Sequence, residues 1–90
     1  MASVYVTLRI MPEDPAVNLD FIEKEARAHM QKAGVVHSVE RIPIAFGLVS
    51  LDFILMVDEK KGGTEKLENE LSKIPGVSSV QVTDVRRGIG

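Results

Sequence analysis

His29 and His37 are the only imidazoles in the chain, and it has no cysteine. They fall on different elements with no thiolate or further histidine at ligand spacing, which argues against a metal site. His29 is expected as a partly buried, hydrogen-bonded side chain at the margin of a helix, and His37 as an edge-strand surface residue. Nucleophilic catalysis needs a hydroxyl with a base and an orienting acid, or two carboxylates in a cleft. Ser50 and Asp52 point to one side of a strand, with Thr7 and Arg9 on the matching side of another. Alternating polar residues on an uncovered sheet face are, however, what solvent requires. Arg9 and Asp52 are expected to pair across the two strands. Lys61-Gly62-Gly63-Thr64 lacks the G-x-x-x-x-G-K-[ST] frame of a phosphate loop and reads as a flexible entry to a helix capped by Thr64. No cofactor and no catalytic residue are expected.

Three features are left over from packing. Phe21 falls opposite the apolar stripe of its helix, where capping a loop is the expected role and contacting a partner the alternative. Ile42-Pro43-Ile44-Ala45-Phe46-Gly47-Leu48 is an apolar turn where polar residues are the norm, and a large hydrophobe at a loop tip points to recognition. Arg86-Arg87 puts two cations on what reads as a short mobile end.

The elements that must carry these residues follow from periodicity. Val4, Val6, Leu8 and Ile10 alternate with Tyr5, Thr7 and Arg9, the period of a strand with one covered face, and Pro12 and Pro15 end it. Asn18 then caps a helix whose Leu19, Ile22, Ala26, Met30 and Ala33 share a stripe, stopping near Gly34. Val35 to Ile42 reads as an edge strand closed by Pro43. Leu48 to Val57 reads as a central one, with Val49, Leu51, Phe53, Leu55 and Val57 toward the core. Leu67, Leu71 and Ile74 mark a second helix ended by Pro75-Gly76, and Val77 to Arg86 a last strand in which Val85 breaks the alternation and signals a bulge or bend. The order β-α-β-β-α-β predicts an α+β, ferredoxin-like sandwich: a four-stranded antiparallel sheet in the order 4-1-3-2 with both helices on one face. That order puts the most apolar strands in the middle and the charged ones at the edges.

Ninety residues suit one domain over 1–90. Eleven basic against thirteen acidic residues, a net charge of −2, supply no field to gather phosphate backbones or anionic lipid. Base stacking on this fold needs aromatics on the open face of the central strands, where only Tyr5 qualifies, so no direct nucleic-acid partner is expected. No stretch is apolar and long enough for a bilayer, and the first residues lack a signal-peptide pattern. A cytoplasmic protein, monomeric when free and without a membrane partner, is expected. An acylphosphatase on this fold would carry a Gly-rich loop with an arginine after the first strand and a strand-borne asparagine, neither of which is here.

Pro43-Ile44-Ala45-Phe46-Gly47-Leu48 is similar to the proline-isoleucine-small-aromatic-glycine loop of the guanine-nucleotide-exchange domains of translation elongation factor 1-beta, in their short archaeal form. Gly63-Thr64 resembles the opening of that family's second helix. Met11-Pro12 in the first strand and the ending Val82-Thr83-Asp84-Val85-Arg86-Arg87 extend the resemblance over essentially the whole chain. It implies exchange of GDP for GTP on elongation factor 1-alpha without covalent chemistry. In the resemblance Phe46 is the aromatic anchor, with Pro43 and Gly47 shaping its loop. Arg87 stands for a C-terminal lysine that in eukaryotic relatives intrudes where the GTPase holds magnesium and phosphates, with Arg86 able to share that role. The rival reading is a small-molecule-binding regulatory module of the same fold, using a pocket between domains or subunits.

Overall fold

The computed structural model describes residues 3–58 and 64–87. Its sheet has the order β2-β3-β1-β4 with every neighbouring pair antiparallel, which is the expected 4-1-3-2 arrangement. The strands are β1 (Ser3–Pro12), β2 (Val35–Pro43), β3 (Val49–Asp58) and β4 (Val77–Arg87). The helices are α1 (Leu19–Ala33) and α2 (Glu65–Ser72). Pairing runs Leu8 opposite Phe53 and Arg9 opposite Asp52, so one face of the central pair is apolar and the other mixed, with Tyr5, Ile54 and Met56 beside the polar residues.

The helices seal the aliphatic face. Ile22, Ala26 and Met30 of α1 and Leu67 and Leu71 of α2 are buried against Leu8, Ile10, Leu51, Phe53 and Leu55. The Asn18 side chain accepts from the Phe21 N–H at 3.2 Å, capping α1 as its sequence requires. Thr64 occupies the N-cap position of α2 but makes no capping hydrogen bond. Its Oγ1 instead donates to Glu68 Oε2 at 3.0 Å, so the expected cap is replaced by a side-chain pair within the helix. Gly62 and Gly63, read as the flexible entry to this helix, lie outside the described residues. At the far edge, the Arg41 guanidinium donates to Asp20 and Glu23, tying β2 to the first turns of α1. These two carboxylates hold the Arg41 pKa above its usual value, the Asp20 hydrogen bond most of all.

The polar face departs from expectation in one respect. Ser50 and Asp52 are 0% and 8% exposed, not solvated. Arg9 donates to Asp52 from Nε and Nη2, both at 3.1 Å, which lays the guanidinium over the carboxylate. Ser50 Oγ lies 3.1 Å from Asp52 Oδ1 and donates to it. A carboxylate held by three donors is satisfied without water, which is why it tolerates burial on a face that no helix covers.

The outer strands are bulged. Between Val36 and Ser38 the β2 ladder skips His37, and between Val82 and Asp84 the β4 ladder skips Thr83. Each bulge reconciles a spacing of three with a period of two: Val36 and Val39 both pair with core residues of β3, and Val82 and Val85 with core residues of β1. Ser78 does the same for Val77 and Val80.

Gly34 ends α1 for a reason other than handedness. Its φ of −179° is extended rather than left-handed, but a Cβ there would stand 2.2 Å from the Met56 carbonyl oxygen and 3.0 Å from Val57 Cγ1. The turn from α1 into β2 therefore packs directly on β3. Gly34→Ala is expected to destabilise the protein by about 1–3 kcal/mol, the range for forcing atoms into a filled interior. Chemical denaturation should show the loss as a lower midpoint at constant m-value.

Candidate functional site

Pro43 closes β2 opposite Val49, and the chain returns through a tight loop. The Ile44 N–H donates to the Leu48 carbonyl at 2.7 Å, and the Leu48 N–H to the Ala45 carbonyl at 3.2 Å. The second of these bonds closes a four-residue β-turn, Ala45 to Leu48, whose two central residues, Phe46 and Gly47, are both left-handed. Gly47 has φ 77°, natural for glycine, but Phe46 also has positive φ, at 63° with ψ 28°. A Cβ clashes with the backbone there, at a cost of about 1–2 kcal/mol. The ring recovers none of that cost by burial, since Phe46 is 93% exposed. Ile44 and Pro43 are also exposed, so the tip is apolar throughout. Beside it, Pro15 of the β1–α1 connection lies 3.7 Å from where a Cβ on Gly47 would stand.

Arg86 and Arg87 are not on a mobile end. They close β4, registered opposite Tyr5 and Val4 of β1. The extra residue at Thr83 shifts the phase of the strand so that Asp84 and Arg86 share a face with Thr7 and Tyr5. Thr83 Oγ1 donates to the Thr7 carbonyl at 3.5 Å, fastening the bulge to β1. Arg86 Nε donates to Asp84 Oδ2 at 2.8 Å, an exposed pair that contributes little to stability. Both arginines border an open groove of about 640 Å³ on the uncovered face, with Tyr5, Thr7, His37 and Ile54. Tyr5 and His37 meet edge to face, ring centroids 5.8 Å apart at 71°.

The fold keeps these two regions apart. The loop sits beyond Val49, whereas Arg87 lies level with Val4 and Val57. The intervening run of β3 measures about 27 Å at about 3.4 Å per residue. Pro43, Phe46 and Gly47 thus form one cluster and Arg86 and Arg87 another, too distant to hold one small ligand. Phe21 is 43% exposed on α1 and joins neither. His29 Nδ1 lies 3.3 Å from Glu70 Oε2 on α2, yet that nitrogen is buried without a hydrogen-bond partner, so the expected satisfied histidine is not found. Among the described residues no cluster of three or more His, Asp or Glu could hold a metal. Composition alone does not reveal the groove; the V-H-S-V spacing in β2, which forces His37 out of the ladder, is the signal that leads to it.

The profile of the EF-1 guanine nucleotide exchange domain matches residues 5–87. The elongation factor 1-beta of Methanothermobacter thermautotrophicus is 44% identical over 87 residues, spanning 97% of this chain and 98% of that protein. That of Methanobrevibacter smithii is 42% identical over 87 residues, with 97% and 98% covered. That of Staphylothermus marinus is 39% identical over 88 residues, again 97% and 98%.

The strain at the loop tip is open to direct measurement. Asparagine accepts the left-handed conformation far better than phenylalanine and loses no buried surface here. Phe46→Asn is therefore expected to stabilise the free protein by about 1 kcal/mol, raising Tm by about 4–8 °C for a domain of this size. A fall in Tm would mean that the ring packs on the protein in solution.

Proposed function

This chain belongs to the EF-1 guanine nucleotide exchange domain family, and from that premise we propose how its residues divide the work. Its role is guanine nucleotide exchange in translation elongation, and the GTPase on which it acts is elongation factor 1-alpha. Exchange requires that the factor bind the nucleotide-free GTPase more tightly than the GDP form. Linkage then makes the factor weaken GDP binding by the same ratio.

Phe46 is the docking anchor. The observation that carries this assignment is an aromatic ring both 93% exposed and held at φ 63°. Burying such a side chain in a partner contributes about 1.5–3 kcal/mol, and the ring is already presented, so little ordering is needed on contact. Pro43 and Gly47 set the loop's entry and its turn.

Arg86 and Arg87 work at the other end. Once Phe46 is seated, the sheet presents the cations as part of the same body, at the effective concentration of a tethered group rather than of a free ion. A guanidinium among the phosphate and magnesium ligands of the GTPase competes with the metal for oxygens and loosens a main restraint on GDP. Arginine is planar and a bidentate donor, so it engages those oxygens differently from a lysine. No bond is made or broken in this scheme, and no residue here is asked for acid–base chemistry. The factor acts as a monomer in the cytoplasm, without nucleic acid or membrane. A net charge of −2, which supplies no field to gather phosphate backbones or anionic lipid, supports the part of that reading that leaves out those partners.

Release of a fluorescent GDP analogue from elongation factor 1-alpha tests the division of labour. Phe46→Ala should raise the factor concentration needed for half-maximal release about tenfold or more. Arg86→Ala/Arg87→Ala should chiefly lower the rate at saturation. If both variants match the parent protein, the site assignment is wrong.

A further inference from the structure

Phe21 belongs to neither cluster described above: it is 43% exposed and lies outside the core. The fold nevertheless sets it at the end of the molecule from which the β2–β3 loop emerges. Arg41, two residues before Pro43, reaches Asp20 and Glu23 and so holds the first turns of α1 level with that end of the sheet. The β1–α1 connection joins the two. Its Pro15 lies 3.7 Å from the position of a Cβ on Gly47, and three residues later Asn18 accepts from the Phe21 N–H. The six residues of chain from Pro15 to Phe21 reach at most about 20 Å. Of the exposed large hydrophobic residues, Phe21, Ile44 and Phe46 gather at this end, whereas Val35 and Val85 lie toward the other, opposite Met56 and Val6.

Size decides how far a partner seated on Phe46 must extend. The loop offers five exposed residues, Pro43 to Gly47. A stable interface takes about 20–30 residues and about 800 Å² from each partner, a patch on the order of 30 Å across. The loop cannot supply that alone. Pro15 stands beside it, and from there exposed Ala16 and half-buried Val17 carry the apolar surface to Phe21. Asp20, the carboxylate next to Phe21, is already held by Arg41, so covering this turn strands no lone charge at that position.

We infer that Phe21 is a second docking residue, and that the GTPase covers this end of the domain from Phe46 over Pro15 to the first turn of α1 with an apolar patch of its own. Continuity with the loop selects the occupant: a partner of ordinary interface size that buries Phe46 and Pro15 reaches Phe21. The inference rests on the docking role proposed for Phe46 and adds the start of α1 to it.

The test uses Phe21→Ala and Phe21→Leu in the same release assay, with thermal unfolding as the check on folding. Both replacements are good helix formers, so the helix is kept while the ring is removed. Phe21→Ala should need about threefold to tenfold more factor for half-maximal release, with the saturating rate changing far less. Phe21→Leu, which keeps apolar bulk, should recover most of that loss. A folded Phe21→Ala with an unchanged half-maximal concentration overturns the inference, as does a loss confined to the saturating rate. Phe46→Ala measured alongside separates the two readings: impaired Phe46→Ala beside normal Phe21→Ala sinks only the second anchor, whereas normal Phe46→Ala sinks the loop assignment itself. Sedimentation of the parent protein and of Phe21→Ala covers the other occupant, since a dimer of the parent that Phe21→Ala dissolves would give this face to a second copy and overturn the inference. Should Phe21→Ala unfold, amide shift mapping on the parent protein decides. Nucleotide-free GTPase should perturb the amides of Ala16 and Phe21 together with that of Phe46, and silence at Ala16 and Phe21 overturns the inference.

Discussion

The register of β1 on β3 is the constraint on which everything else depends. Side chains alternate with a period of two, so a slip of β1 by one residue would carry Leu8 and Ile10 to the open face and Arg9 under the helices while Phe53 and Leu55 stayed on the core side. The double hydrogen bond from Arg9 to Asp52 is made in this register, and in it Val6, Leu8, Ile10, Leu51, Phe53 and Leu55 all face the core that α1 and α2 close. Charge and packing therefore select the same alignment. The frame that results lets a domain with few aromatic residues hold the loop at Phe46 and the arginines of β4, the two contact points proposed above, at opposite ends of one sheet.

Against that well-satisfied frame, the β2–β3 loop is the place where local preference is overruled. A phenylalanine at positive φ with its ring in water gains nothing for the isolated molecule. Such a residue makes sense only in relation to a surface outside the molecule. The loop is held by two backbone hydrogen bonds across its neck rather than by packing of its own tip, so the ring proposed as the anchor is offered at low ordering cost.

Much of this was legible in the residues themselves. Val4 to Ile10 and Val49 to Val57 declare their faces by alternation, Asn18 declares the start of α1, and the crossover rule then leaves one strand order. The Arg9–Asp52 pair follows from that order. Other features were not legible because they depend on three-dimensional closeness. Ser50 and Asp52 look like solvent-facing residues until the guanidinium is seen to cover them. Arg86 and Arg87 look like a loose end until the register with Tyr5 and Val4 is known. Gly34 reads only as the place where α1 stops, and the Met56 carbonyl that excludes a side chain there lies on a distant strand. The strain at Phe46 leaves no trace in residue type at all, whereas the bulges do, as valines three apart within a strand.

Those bulges have one more consequence. β2 and β4 are the outer strands, and among the described residues each has a flank of backbone donors and acceptors without a neighbouring strand. A long even flank of that kind is a template for any extended chain that meets it, and stacking of such flanks is how fibrils grow. His37 and Thr83 interrupt the spacing of the ladder on both borders, and Pro43 removes a donor from one of them. The protein can thus carry an apolar loop tip and a partly apolar open face through a crowded solution while its borders resist recruitment into aggregates.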